Sequence, residues 1–119
     1  MPTLMTADGV QLHYTDTGGE GRPVVLVHGW PLSGASFEAN IPAFAAAGHR
    51  VIAYDRRGFG QSDQPETGYD YETLADDLAS LLAQLDLVDA VLLGFSMGGG
   101  EVARVAGGRV EPRVGAVIF

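Results

Sequence analysis

The residues of this chain best suited to chemistry are Gly94-Phe95-Ser96-Met97-Gly98, a G-x-S-x-G pentapeptide. A serine hydroxyl between two glycines can attack a carbonyl carbon when the backbone lifts it clear of its surroundings. The flanks favour that arrangement: the apolar run Ala90-Val91-Leu92-Leu93 precedes the pentapeptide, and a helix-compatible stretch from Gly100 to Ala106 follows it. A strand, a sharp turn and a helix hold such a serine in a strained conformation at the edge of a sheet. The helix aims its unpaired first-turn N–H groups and positive dipole end at the place where an oxyanion would develop. Gly94 and Gly98 are expected where neighbouring chain leaves no room for a Cβ, or where the turn needs an unusual φ. The bland alternative is a Gly/Ser loop that only reverses the chain, and the strand and helix on either side argue against it.

Acyl transfer at Ser96 needs two donors for the oxyanion and a base for the proton. One donor is the backbone N–H of Met97, directly after the nucleophile. The other is expected from the loop that opens at His28-Gly29-Trp30-Pro31. Gly29 lets that loop run close, Trp30 offers its N–H, and Pro31 has none to offer. His28 precedes the serine, whereas serine sites of this strand–turn–helix type place acid and then histidine after it. His28 is therefore expected to hold its own loop by local hydrogen bonding. His13 falls on the outward face of an alternating strand, and His49 just before a strand at the end away from the site; both are expected at the surface. Gly58-Phe59-Gly60 is not a dinucleotide fingerprint, because Asp63 stands where a third glycine is needed. Gly98-Gly99-Gly100 lacks the Lys-Ser/Thr of a phosphate loop. Asp55, Arg57 and Ser62 are expected to tie down their own loop. No histidine or carboxylate cluster has metal-ligand spacing, so no metal site is expected.

The elements that must position these residues alternate between strand and helix. Leu4–Thr6 and Val10–Asp16 read as a β-hairpin, with Asp8-Gly9 supplying the two positive-φ positions of a tight turn. Val10, Leu12 and Tyr14 alternate with Gln11, His13 and Thr15, so the second strand buries one face. Pro23–Val27 is apolar throughout, as in a parallel strand covered on both sides. Phe37, Ile41, Phe44 and Ala45 have helical spacing, with Ser36 as candidate N-cap and Gly48 as terminator. Val51–Tyr54 is a further strand. Leu74, Leu78, Leu81, Leu82 and Leu85 make the clearest amphipathic helix, with Asp76 and Asp77 on its other face. Ala90–Leu93 leads into Ser96, and Val114–Phe119 is one more apolar strand, buried on both faces. The alternation implies a mostly parallel α/β sheet with right-handed crossovers. Sites in such sheets lie beyond the carboxyl ends of the strands, so His28-Gly29-Trp30, Asp55-Arg56-Arg57 and Ser96 should meet on one edge.

Composition narrows the function classes. A chain of 119 residues with 46% hydrophobic content fits one domain with a packed core. There is no cysteine, which excludes a disulfide framework and a thiol nucleophile. A formal charge of −8 with 7 basic residues, and no basic cluster beyond Arg56-Arg57, argues against nucleic acid as a partner. The N-terminus shows no secretory pattern and no run reaches membrane-spanning length, so a cytoplasmic protein without membrane contact is expected.

Three segments together carry a family resemblance: His28-Gly29-Trp30-Pro31-Leu32-Ser33; Tyr54-Asp55-Arg56-Arg57-Gly58-Phe59-Gly60-Gln61-Ser62-Asp63-Gln64-Pro65; and Gly94-Phe95-Ser96-Met97-Gly98-Gly99-Gly100-Glu101-Val102-Ala103-Arg104. The chain resembles the N-terminal half of an α/β-hydrolase, and within that superfamily the cofactor-free haloperoxidase and aryl-esterase group. The resemblance implies a serine esterase acting on small carboxylic esters. It implies a side activity too: peracid formation from hydrogen peroxide and a carboxylic acid, with the peracid then oxidising halide. Ser96 would be the nucleophile, with the Trp30 and Met97 N–H groups as oxyanion hole and no cofactor.

One departure from the family is large. After Ser96 the sequence holds no Asp and no His, and Glu101 and Glu111 are its only later acids. Glu101 lies too far along its own helix to orient an imidazole. The expectation is that residues 1–119 are the N-terminal part of a single α/β-hydrolase domain, without cap, catalytic acid or catalytic histidine. Such a chain is active only when completed by a half that supplies Asp and His. The competing expectation is a non-enzymatic binding or assembly module. A dehalogenase chemistry would need an aspartate where Ser96 stands. The outer edge of the strand Val114–Phe119 is expected to recruit a complementary chain or a second copy.

Overall fold

The computed structural model describes residues 2–28, 37, 40–95, 97–107 and 113–118, without the side chains of Met97, Glu101, Arg104, Ala106 and Gly107. Its strands are β1 (Thr3–Met5), β2 (Gln11–Asp16), β3 (Pro23–Val27), β4 (Arg50–Tyr54), β5 (Ala90–Gly94) and β6 (Val114–Ile118). Its helices are α1 (Ile41–Ala46), α2 (Tyr71–Gln84) and α3 (Met97–Gly107). The six strands form one sheet in the order β1-β2-β4-β3-β5-β6. β1–β2 and β2–β4 are antiparallel, and β4–β3, β3–β5 and β5–β6 are parallel. The mostly parallel sheet expected from the alternation is what forms.

The apolar runs of β3 and β4 are explained by coverage on both faces. Val25 and Val27 with Ile52 and Tyr54 join Leu92 and the α2 leucines in one core cluster. Val24 and Leu26 with Val51 and Ala53 turn the other way, toward Phe37 and the Ile41, Phe44 and Ala45 side of α1. A strand in the middle of a two-sided sheet has no outward face to spare for polar residues.

Helix ends follow local chemistry. Asp70 caps α2: its carboxylate accepts from the Thr73 N–H at 3.1 Å and from the Thr73 hydroxyl at 2.8 Å. α1 starts after Asn40, with Pro42 in a first turn that needs no amide donor, and closes before Gly48 at φ 93. The proposed N-cap, Ser36, lies outside the described residues.

Four expectations are corrected. In the hairpin only Gly9 has positive φ, at 85. The Gly9 N–H donates to Thr6 O and the Thr6 N–H to Val10 O, which is a three-residue loop closed by one left-handed glycine. His13 is buried rather than exposed. Its strand is flanked by β1 and β4, and the loop after β4 folds over it. Asp77 is buried as well, because Arg57 reaches it from that same loop. β6 is only half-buried, with Gly115 and Ile118 exposed, because it stands at the edge of the sheet with one neighbour.

Candidate active site

The site is built at the carboxyl ends of β3, β4 and β5. Gly94 ends β5, and α3 begins at Met97, so strand passes to helix across two residues. The chain doubles back sharply: a Cβ on Gly94 would stand 2.7 Å from the Gly99 Cα and 2.8 Å from the Gly98 carbonyl oxygen. A Cβ on Gly98 would run into the Val27 carbonyl and stand 2.8 Å from that of His28. Neither glycine has positive φ. Of the two reasons expected for these glycines, close approach is the operative one. The Phe95 N–H donates to Val27 O at 3.0 Å, and the Gly98 N–H to Phe95 O at 3.0 Å. The amino end of α3 is thereby fastened against the last residue of β3. The Met97 N–H belongs to that first turn, whose amides have no carbonyl within the helix. Gly100, further along, leaves room for the Tyr71 ring at the start of α2, where a Cβ would stand 2.5 Å from Cε1. Ser96, Gly29 and Trp30, and with them the strained serine and the second oxyanion donor, lie outside the described residues.

His28 is fully buried directly after β3. Its Nε2 accepts from the Arg56 N–H at 2.9 Å, so the lone pair that a general base would use is already engaged. The expected tie of His28 to its own loop lies outside the described residues; the tie on view is to the loop after β4. The Arg56 guanidinium returns the contact, donating from Nη2 to His28 O at 2.7 Å. Phe59 packs edge-on to the His28 ring with centroids 5.7 Å apart and lies 5.8 Å from the Arg56 guanidinium carbon.

The loop after β4 is tied down as its composition suggested. Asp55 accepts from the Gln61 N–H at 2.8 Å and lies 3.1 Å from the His13 Nδ1. The Ser62 hydroxyl donates to Asp55 O and accepts from the His13 N–H at 2.8 Å. Gly60, at φ 52, lies against the Asp55 carboxylate where a Cβ would collide with it. Arg57 is buried and joins two further elements. It donates to both Asp77 oxygens on α2, at 2.7 and 2.8 Å, and to both Asp8 oxygens in the hairpin loop, at 3.1 and 3.0 Å. Arg57 and the Thr6 hydroxyl hold the Asp8 carboxyl down at about 2. Burial pushes Asp77 above the ordinary carboxylate value, with Arg57 pulling against it. Asp77 in turn raises Arg57 further above the ordinary guanidinium value, so that side chain stays cationic.

Two links at this edge were not read from the sequence: Arg56 on the His28 carbonyl, and His13 on Asp55. Their partners are 28 and 42 residues apart, and no periodicity reports such a pairing. Among the described residues, no group of three His, Cys, Asp or Glu side chains is placed to hold a metal ion. No helix among them is long and apolar enough to cross a membrane. An open cleft of about 320 Å³ bordered by Arg22, Arg50, Asp86 and Asp89 lies at the amino ends of β3, β4 and β5, away from the Gly94–Gly98 turn.

Residues 22–119 match the sequence model of the alpha/beta hydrolase fold family. The chain is 52% identical over 107 residues to a non-heme chloroperoxidase of Kitasatospora aureofaciens, covering 90% of this chain and 38% of that protein. It is 44% identical over 104 residues to a bifunctional esterase/perhydrolase of Acinetobacter calcoaceticus, covering 87% of this chain and 38% of that protein. Among solved structures, a bromoperoxidase from Bacillus anthracis superposes with a TM-score of 0.91 at 50% identity, over 99% of this chain and 44% of that one. The chain spans about two-fifths of the length of these relatives.

Proposed function

This chain belongs to the alpha/beta hydrolase fold family, and on that premise we propose that it carries the nucleophile-bearing, N-terminal part of a single-domain serine esterase. Ser96 is the nucleophile, and the backbone N–H groups of Met97 and Trp30 are the oxyanion hole. The observation that carries the reading is the crowding at Gly94 and Gly98, which presses the amino end of α3 onto the end of β3. The first-turn N–H groups of α3, which have no carbonyl within the helix, then stand beside the end of β3. The Ser96 Oγ attacks the carbonyl carbon of a small carboxylic ester and passes its proton to a histidine. That histidine and its acid come from the segment that completes the fold, since no His and no Asp follow Ser96 here and Glu101 lies too far along its own helix to serve. The tetrahedral oxyanion is held by the two N–H groups, the alcohol leaves with the proton, and water releases the acid from the acyl-serine. Hydrogen peroxide in place of water releases a peracid, which accounts for a halide-oxidising side activity. The reading draws on the named activities of the relatives, esterase/perhydrolase and chloroperoxidase.

The completing segment lies along the outer edge of β6, whose Ile118 is 49% exposed and whose far side has no strand among the described residues. A fluorophosphonate probe tests the nucleophile: it labels Ser96 in the completed protein and fails to label Ser96→Ala. Labelling that survives the substitution refutes the assignment.

A further inference from the structure

We infer that Asp8 is a site of spontaneous covalent modification, the position at which this chain converts to isoaspartate, and that the fork of Arg57 is what holds the conversion off. Asp8-Gly9 is the one Asp-Gly step in the sequence. An aspartate before glycine is prone to cyclise, because no side chain on the next residue shields its amide nitrogen from the carboxyl carbon. The step lies in the exposed loop between β1 and β2, and a Cβ on Gly9 would meet nothing within 4 Å. Space for the rearrangement is therefore present.

The chemistry needs only water. The Gly9 amide nitrogen attacks Asp8 Cγ and forms a new C–N bond. The carboxyl hydroxyl departs with the amide proton as water, and a succinimide ring remains. Water then opens the ring at either carbonyl. Cleavage between the nitrogen and Cγ restores aspartate. Cleavage between the nitrogen and the Asp8 carbonyl carbon leaves the main chain running through Cβ, as isoaspartate of unchanged mass.

Each group that must react is held in the folded chain. Arg57 donates to both Asp8 oxygens, Nη1 to Oδ2 at 3.1 Å and Nη2 to Oδ1 at 3.0 Å, and the Thr6 hydroxyl donates to Oδ1 as well. The departing oxygen must carry a proton, and these contacts keep the carboxyl ionised, at about 2. The nucleophile is engaged too, since the Gly9 N–H donates to Thr6 O at 3.0 Å. Arg57 is itself fixed from the other side by Asp77. Conversion then waits on local opening of the loop. Its product does not fit the same place. The extra backbone atom separates Thr6 from Val10, whose bonds at 2.8 and 3.0 Å close the loop, and it moves the carboxylate off Arg57.

The test follows isoaspartate at residue 8 in the completed, folded protein stored near neutral pH, by mass spectrometry with backbone fragmentation that distinguishes the two isomers. No enzymatic activity is read, so failure of the esterase reading leaves the result untouched. The same protein unfolded in urea is expected to convert about 10–100-fold faster, the span set by the fall of the carboxyl from 3.8 to about 2. Arg57→Met is expected to close most of that gap, and Arg57→Lys part of it. Leu78→Ala weakens the core with the fork intact and is expected to convert at the parent's rate. Asp8→Glu is expected to remove the product. Equal rates in the folded and unfolded parent overturn the inference, as does an Arg57→Met rate no higher than that of Leu78→Ala, or isoaspartate forming elsewhere in the chain ahead of Asp8. If Arg57→Met does not fold, Arg57→Lys against Leu78→Ala decides alone.

Discussion

Arg57 grips Asp77 in a two-pronged ion pair, Nε to Oδ2 at 2.7 Å and Nη2 to Oδ1 at 2.8 Å, with both side chains almost fully buried. The same guanidinium extends to Asp8, so one cation joins the hairpin loop, the loop after β4 and helix α2. Removing it leaves the Asp77 carboxylate buried without its partner. Arg57→Met is expected to destabilise the protein by about 3–5 kcal/mol, in the range for breaking one side of a buried pair. Urea unfolding of the variant against the parent measures it, and a loss below about 1 kcal/mol would mean that water replaces the guanidinium.

The acid limb of stability should carry the mark of Asp8. Its folded-state value, about 2, lies below the ordinary 3.8, so the unfolded chain binds the proton more tightly. The stabilisation is present above the unfolded value and fades as pH falls from there toward about 2. Asp16, lowered by Arg50, adds in the same direction. Asp77, raised by burial, has the opposite sign: its contribution favours the low-pH side and diminishes as pH rises. Asp8→Asn is therefore expected to flatten the acid limb while lowering stability at neutral pH. Because the Asp8 side chain is 54% exposed, added salt should shrink the difference. Unfolding midpoints across the acid range, with and without salt, measure both effects.

Gly98→Ala introduces a methyl group where the carbonyls of Val27 and His28 already stand. α3 must then move away from β3. A stability loss of about 1–3 kcal/mol is expected from the overpacking, with a fall in kcat larger than any rise in KM. Gly19→Ala would be a poor control, since its φ of 90 adds backbone strain of its own. Ala43→Ser, on the outward side of α1, is the better one.

Trp30→Ala separates backbone from side chain at the second proposed donor. The N–H survives the substitution, so the change should appear mainly in KM. Losing a true oxyanion donor typically costs about 10²–10³ in kcat. A loss of that size with KM unchanged would assign the work to the indole.

Val117→Lys addresses the edge of the sheet. Val117 is a half-buried residue of β6 packed against the main core. A lysine there should weaken association between this chain and the proposed completing segment supplied as a separate polypeptide, read by sedimentation of the mixture. Unaltered association would place the contact elsewhere.

Much of this architecture is legible in the sequence where burial is two-sided. The continuous apolar runs of β3 and β5 mark strands to within a residue, and the leucine stripe marks α2. The glycines around Ser96 are legible for a related reason, since close backbone approach selects one residue type. His13 is misread because alternation assumes that one face of β2 meets water, whereas residues 55–63 fold over that face and bind it through Asp55, Ser62 and Asp63. Asp77 is misread because it flanks the leucine stripe, and its burial is made tolerable by Arg57, 20 residues upstream. Long-range partners of buried charges leave no periodic trace.

The strand order has a consequence for how the chain reaches this state. β3 is completed between β4 and β5, with Val24 paired to Val51 on one side and Val91 on the other. On the ribosome, five consecutive apolar residues emerge long before the second of their two neighbours has been synthesised. Pairing across such a separation closes slowly, and an apolar segment waiting for its partner is where a nascent chain aggregates. The centre of the sheet, the most protected part of the finished molecule, is thus the part longest at risk during synthesis.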